Sequence, residues 1–320
     1  HDQSSAASDV YKRQVIESHN RISKWIHRTP ILQSSSINKI GGAEIYFKCE
    51  NFQKIGAFKM RGALNAVMST KKQNLKKGFV THSSGNHAQA VALSSNIANT
   101  KAYIVMPKGA PKIKIKAVRG YGAEVTLCEN NEDSRVRTCN KIIKETGATF
   151  IHPFDNDDVI LGQSTCAKEI YEELPDLDYI ISPVGGGGLA SGTILSTKFF
   201  SENTKVVLAE PQKANDAYES FINKRLIPVS NPNTIADGLK TSLSEKTFKI
   251  ILDGTDQIVT IEEEDIVDSM KLIWERLKIV CEPSCSLPLA AVLKNKKKFK
   301  GKKIGLILTG GNVDVNNLPF

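Results

Sequence analysis

The run Asp178-Tyr179-Ile180-Ile181-Ser182-Pro183-Val184 is followed at once by Gly185, Gly186, Gly187 and Gly188, and then by a helical stretch from Leu189 to Phe200. A short apolar run bounded by turn residues reads as a buried strand, so the unit is strand, glycine loop, helix. Four adjacent glycines cost backbone entropy unless the chain must pass very close to something, and a phosphate at a helix N-terminus is the natural occupant. The same alternation continues along the chain. Strands are expected to start near Glu44, Gly78, Lys101, Glu124, Thr149, Asp178, Lys205, Gln257 and Lys303, with helical segments between them. That order predicts an α/β fold, a parallel sheet covered by helices on both faces. With 320 residues there is room for one to three domains and a sizeable core, and neither a linker nor an internal repeat marks a boundary.

Two further loops carry chemistry. In Gly56-Ala57-Phe58-Lys59-Met60-Arg61-Gly62-Ala63, the spacing of Met60, Leu64, Val67 and Met68 is helical, and Gly62, Ala63 and Ala66 form a low-relief face beside Lys59 that a flat group could approach. A helix starting here sets the amine against the positive end of the helix dipole, with Arg61 two residues on. Both disfavour the ammonium and favour Schiff-base formation. In the second loop, the strand Gly78 to His82 feeds Ser83-Ser84-Gly85-Asn86-His87 and a helix from Ala88. Free amides at that helix start suit a carboxylate or phosphate, although Ser and Asn are also ordinary N-caps.

A rival reading uses the third loop alone. Gly185, Gly187 and Ala190 satisfy G-x-G-x-x-A, and Glu210 ends the next strand about 20 residues on, where a dinucleotide site keeps its ribose-binding acid. That reading, an NAD-binding oxidoreductase, leaves Lys59 and the Ser83–His87 turn unexplained. A P-loop is excluded because no G-x-x-x-x-G-K-[ST] occurs.

The net charge of +9 comes from lysines spread along the chain, and the dense run Lys294 to Lys303 reads as a solvated surface rather than a nucleic-acid patch. The basic balance could still attract anionic substrates. Six cysteines form no C-x-x-C pair, and Cys281 and Cys285 lack histidine partners for a metal, so free thiols in a reducing, cytoplasmic setting are expected. No apolar stretch approaches the roughly 18 residues of a membrane span. Residues 1–14 are polar, lack a signal-peptide core, and are set aside as a leader or remnant outside the fold. The chain stops soon after Asp314, so no C-terminal regulatory domain is expected.

Together the segments resemble the fold-type II pyridoxal phosphate enzymes, specifically the serine racemase and serine/threonine dehydratase family. The motifs occur in that family's order from about Ile22 to Asp314: Arg28-Thr29-Pro30, Phe47-Lys48-Cys49-Glu50, the Lys59 motif, Thr81 to His87, the tetraglycine loop, Thr234 to Gly238, Cys281-Glu282-Pro283-Ser284 and Thr309 to Asp314. The resemblance implies a two-domain, tryptophan synthase β-like fold, with residues 75–149 as a small substrate-binding domain inserted into a large cofactor-binding domain of 1–74 and 150–320. It implies that Lys59 carries pyridoxal 5'-phosphate, that Phe58 packs on its ring and that Asn86 bonds the ring hydroxyl. Gly185, Gly186, Gly187 and Gly188 would hold the phosphate, Gly238 would back the ring, and Thr309 would meet the ring nitrogen. Ser83, Ser84, Gly85 and His87 would receive the substrate carboxylate, with Arg135 and His152 on the substrate side. Glu210, the Ala214 carbonyl and Asp216 would bind Mg²⁺, Ca²⁺ or Mn²⁺. A homodimer and a nucleotide effector are implied as well.

Some positions depart from the racemase pattern: Ala57, Ala88, Cys285, Ser286 and the pair Phe154-Asp155, which looks more like the dehydratases. The implied reaction is loss of the β-hydroxyl from L-serine, with L-threonine next, giving a 2-keto acid and ammonia. Lys59 would be the base and Ser84 the group able to return a proton from the other face, which gives serine racemisation as a companion activity. A neutral Thr309 at the ring nitrogen weakens the electron sink and favours elimination. Dehydration of 3-hydroxyaspartate, with Arg135 on the extra carboxylate, and a non-catalytic ligand-binding module are the alternatives.

Overall fold

The computed structural model describes residues 2–320, with side chains from Val10 onward. All nine expected strands are present: β2 (Glu44–Cys49), β3 (Phe79–His82), β4 (Ala102–Pro107), β5 (Glu124–Cys128), β6 (Thr149–Phe150), β7 (Tyr179–Pro183), β8 (Lys205–Pro211), β9 (Gln257–Ile261) and β10 (Lys303–Leu308). A tenth, β1 (Ile31–Leu32), precedes them. Two residues are too few to show an alternating pattern, so only its antiparallel pairing with β2 defines it. The strands form a six-stranded sheet, β1-β2-β10-β7-β8-β9, and a four-stranded sheet, β5-β4-β3-β6, in which all pairings other than β1–β2 are parallel.

Strands covered on both faces read as unbroken apolar runs. Ile181, Val207 and Leu306 point to one side of the large sheet, against the helix Pro283–Lys294, where Leu287, Leu289 and Val292 are fully buried. Ile180, Val206, Leu208 and Ile307 point to the other side, against the helices Asp157–Glu173 and Gly188–Phe200. Each such side chain contributes about 1.5–3 kcal/mol by burial. The low-relief face at Gly62 is not open to a flat ligand, contrary to the expectation from spacing. It crosses the helix Asp157–Glu173 so closely that a Cβ on Gly162 would lie 2.6 Å from Gly62 Cα.

The segment set aside as a leader continues the helix Asp2–Ile22. Val15 in its second half is fully buried, and the Lys12 ammonium stands 5.9 Å from the centre of the Phe200 ring. Residue 1 and the side chains of 2–9 lie outside the described part. Among the described residues no helix is long and apolar enough to cross a membrane.

The carboxyl ends of the parallel strands face the loops singled out in the sequence. β3 runs into Ser83, β7 into Val184 and the glycines, and β10 into Thr309. In open α/β sheets, that edge is where ligands bind.

Candidate active site

Lys59 is the first residue of the helix Lys59–Ser69, whose N-cap, Phe58, makes no side-chain capping bond. Ala57 bridges Gly310, and the Phe58 amide donates to the Thr309 carbonyl at 3.0 Å, so the lysine turn is stitched to the end of β10. The amine donates to the Pro153 carbonyl at 3.0 Å and lies 5.2 Å from the Phe58 ring centre. Burial pushes its pKa down to about 8, which leaves a usable fraction of free base near neutral pH. Arg61 takes no part in that shift, contrary to the expectation from sequence proximity. Its guanidinium turns away and is bonded to Glu50 and Glu169.

The Ser83–His87 turn joins β3 to the helix Asn86–Ile97. Ser83 Oγ accepts from the Gly85 amide at 3.2 Å, and Ser84 makes no side-chain hydrogen bond among the described residues. His87 is buried, and its Nε2 lies 3.0 Å from the Ile151 carbonyl, which requires a proton on Nε2. Burial, then the Lys59 charge, lower its pKa to about 3, so the ring is neutral and Nδ1 is an acceptor without a partner. An anion at this turn can therefore be met by the His87 main-chain amide but not by its ring. His152 is the converse case. Its Nδ1 accepts from the amides of Phe154 and Asp155 at 3.3 and 2.8 Å, which leaves Nε2–H as a donor.

The glycine loop is buried throughout, and none of the amides of Gly185 to Gly188 donates to a described acceptor; the first helical bond runs from the Ser191 amide to the Gly187 carbonyl. Gly187 has φ +90°, a conformation side chains rarely adopt, and a Cβ on Gly186 would lie 2.2 Å from the Phe154 ring. A Cβ on Gly185 would lie 3.1 Å from the Gly238 carbonyl, so Gly238 stands beside the loop. At the end of β10, Thr309 Oγ1 is buried with no partner among the described residues. A depressed amine, four buried amides without acceptors and an orphaned hydroxyl are what a phosphorylated pyridine aldehyde would satisfy.

Comparison with known proteins agrees. The family of pyridoxal-phosphate dependent enzymes matches residues 22–310. The chain belongs to this family. It is 47% identical to serine racemase of Dictyostelium discoideum, over 97% of both chains, and 45% identical to beta-hydroxyaspartate dehydratase of Paracoccus denitrificans, over 96% of this chain and 97% of that one. Among solved structures, maize serine racemase superposes with a TM-score of 0.93 at 39% identity, covering 95% of this chain and 94% of that one. Within the family it falls with the serine racemases and serine/threonine dehydratases, and its cofactor is pyridoxal phosphate.

The dinucleotide reading fails on Glu210. Both of its carboxylate oxygens accept main-chain amides, those of Ala217 and Tyr218 at 2.9 and 2.8 Å, and the side chain is wholly buried, out of reach of a ribose.

In the sequence Glu282 and Ser284 stand out only as parts of a motif, yet the turn they form touches three of the cofactor-site elements. Glu282 accepts from Asn86 Nδ2 at 3.0 Å, while Asn312 donates to Asn86 Oδ1 at 2.8 Å, so the Asn86 amide is held in one orientation. The Glu282 amide donates to the Gly310 carbonyl, and Ser284 Oγ accepts from the Gly238 amide at 3.2 Å. A Glu-Pro-Ser run looks like an ordinary helix start in one dimension. Burial raises the Glu282 carboxyl to about 7, with Asn86, the Asn312 amide and Lys114 opposing it and Asp237 adding to it. Because that folded value lies above the 4.5 of an ordinary glutamic acid, the stability it contributes is present at pH 4 and lost as pH rises through 7. Removing this dependence with Glu282→Gln should make the cofactor-free variant gain on the parent by about 3 kcal/mol between pH 5 and pH 9, read from denaturant melts. Parallel pH profiles for the two proteins would refute the assignment.

Arg135 lies in the first turn of the helix Glu132–Thr146. Burial, then the Arg135 charge, hold His82 below its ordinary pKa. From His82 a ladder of rings runs through Phe150 and His152 to Phe154 on the glycine loop, with spacings of 5.5, 6.0 and 4.5 Å. Glu210 and Asp216 form a separate carboxylate pair at the end of β8. Burial, then the Asp216 charge, push Glu210 up, and burial raises Asp216 to about 6. Asp216 Oδ2 accepts from the Leu243 amide, and Leu243 packs on Gly187, so this pair is linked to the phosphate loop. Asp216 Oδ1 is buried without a partner among the described residues. Among the described residues no cluster of three or more His, Cys, Asp or Glu side chains could bind a metal, and all six cysteines are buried free thiols.

Proposed function

We propose that this protein removes the β-hydroxyl group of L-serine, and secondarily of L-threonine, releasing a 2-keto acid and ammonia, with serine racemisation as a companion activity. The observation that carries the choice is the neutral hydroxyl of Thr309, buried and unpartnered at the end of β10. Opposite a ring nitrogen it offers no negative charge to keep that nitrogen protonated, which favours prompt departure of a β-leaving group. Bound pyridoxal phosphate supplies the sink for the electrons left at Cα. The residues of the chain do the rest. Lys59, its pKa lowered toward neutrality by burial, takes the Cα proton in its free-base form; the glycine amides hold the phosphate; the Ser83–His87 turn receives the substrate carboxylate through its amides; and Asn86, fixed by Glu282 and Asn312, meets the ring hydroxyl. Phe58 packs against the ring and Gly238 backs it. His152 presents Nε2–H on the substrate side. Ser84, free of internal bonds, returns a proton from the opposite face. In this reading residues 75–149 form the substrate-binding unit and the flanking segments hold the cofactor.

The test follows pyruvate and D-serine together from L-serine. Pyruvate is expected to dominate, and Ser84→Ala should lower D-serine at least about tenfold while pyruvate formation persists. D-serine without pyruvate would overturn the proposal. Dehydration of 3-hydroxyaspartate is a second reading, favoured by the Paracoccus relative's name and by the charge of Arg135, which acts on His82 at the end of the ring ladder. Loss of turnover in Arg135→Ala confined to the diacid would support it.

The carboxylate pair of Glu210 and Asp216, with the Ala214 carbonyl, fits a hard divalent cation, which would neutralise both raised carboxyls and occupy the orphaned Asp216 Oδ1. Saturating Mg²⁺, with Ca²⁺ and Mn²⁺ as comparisons, should raise the melting temperature by a few degrees, and Asp216→Asn should abolish the response. An unchanged response in the variant would remove the site. The proposed assembly is a homodimer and the proposed setting a reducing, cytoplasmic one.

A further inference from the structure

Beneath the lysine helix lies a group of charges that the chemistry above does not use. Arg61, Glu50, Lys48 and Glu169 are each at most 1% exposed. Arg61 spends all its donors within this group: Nε on Glu50 at 2.8 Å, Nη1 on Glu169 and Thr165 at 2.8 and 3.2 Å, and Nη2 on Glu50 and Glu169 at 2.8 Å each. Lys48 Nζ adds bonds to Glu169 and to the Thr29 carbonyl at 2.7 Å, and Thr29 Oγ1 closes the group on Glu50 at 2.6 Å. Three motifs that looked unrelated in sequence therefore meet at one point.

A buried ion network of this kind is a poor way to gain stability, because well-packed apolar side chains serve as well or better. What it does supply is a fixed geometry. The helix Lys59–Ser69 has no side-chain N-cap, and beside the main-chain ties of Ala57 and Phe58 to the end of β10 and of the Gly62 amide to Gln163, the guanidinium anchors its first turn. Glu169 lies on the helix Asp157–Glu173, which follows Pro153, the residue whose carbonyl receives the Lys59 amine. The group thus ties the turn that carries the amine to the helix behind the amine's acceptor. Two cations and two carboxylates leave it neutral overall, in keeping with a Lys59 shift that comes from burial alone. His19, which also faces the group, is held below its ordinary pKa first by burial and then by Lys168.

We propose that the Arg61–Glu50–Glu169–Lys48 cluster is a positioning device for Lys59, setting where its amine sits without touching substrate or cofactor. The inference rests on the reading of Lys59 as the reacting amine. Arg61→Lys keeps the charge but gives up the planar fork, and the pair Arg61→Met with Glu50→Gln removes one charge of each sign. Cofactor-free protein is treated with pyridoxal phosphate and borohydride across a pH series, and label at Lys59 is quantified. The parent's labelling midpoint is expected near pH 8, and both variants should move toward the 10.5 of an ordinary lysine as the amine leaves its buried seat. In the holoenzyme, kcat for serine should fall about 100-fold with KM changed little. Folded variants with the parent's midpoint and kcat would overturn the proposal. If the charge-balanced pair does not fold, Arg61→Lys, which keeps every charge, decides on the same readouts. No label at Lys59 in the parent itself would overturn both this inference and the catalytic reading it rests on.

Discussion

Lys59→Ala is expected to lower pyruvate formation from L-serine by about 10³–10⁴-fold while leaving the fold intact. The substitution removes the base for the Cα proton and the amine on which the cofactor is carried, so both the chemical step and covalent retention of the cofactor are lost together. Little else is disturbed, because the Nζ atom makes a single protein hydrogen bond, to the Pro153 carbonyl, and the ion network under the helix belongs to Arg61. The check has two arms, a coupled pyruvate assay and borohydride reduction followed by peptide mapping. A variant that turns over serine at the parent's rate, or a parent that carries its label on another lysine, would end the mechanistic account.

The second large effect is expected at Gly186→Ala. The added methyl would lie 2.2 and 2.3 Å from Cδ1 and Cε1 of Phe154, a ring that has little freedom to yield. Its centre lies 4.5 Å from that of the perpendicular His152 ring, and His152 is itself held by two amides. The loop must therefore move, which misaligns the amides that face the phosphate. Each charge-assisted hydrogen bond lost is worth about 1.5–3 kcal/mol, so cofactor affinity should fall by about 100-fold, with a stability loss of about 1–3 kcal/mol from overpacking. Cofactor titration followed by absorbance measures the first and thermal melts the second. Phe154→Ala in the same chain should recover part of both, as a double-mutant cycle would show. Purely additive effects would mean that Phe154 is not what the loop packs against.

The alternation of strands and helices, the three loops and the lysine could all be read in one dimension because each depends on local pattern: apolar runs of strand length, glycines where backbone must approach a ligand, small polar residues where a strand feeds a helix. β1 could not, since two residues carry no periodicity. Proximity in sequence also misled at Arg61, whose distance from the amine is set by the rotation of the helix and not by a separation of two residues. His87 is similar. Its identity was visible, but its neutral ring and inward-facing donor follow from the Ile151 carbonyl, 64 positions away.

The amino-acid order by itself determined the layered α/β plan and the residue types needed for cofactor chemistry, because hydrophobic period and turn chemistry act over a few neighbours. Tertiary structure alone decided the protonation and orientation of those residues: the lysine near pH 8, the carboxyl of Glu282 near 7, the orphaned hydroxyl of Thr309 and the charge cluster around Arg61. Burial and long-range contact set electrostatics, and neither has a local signature in the sequence.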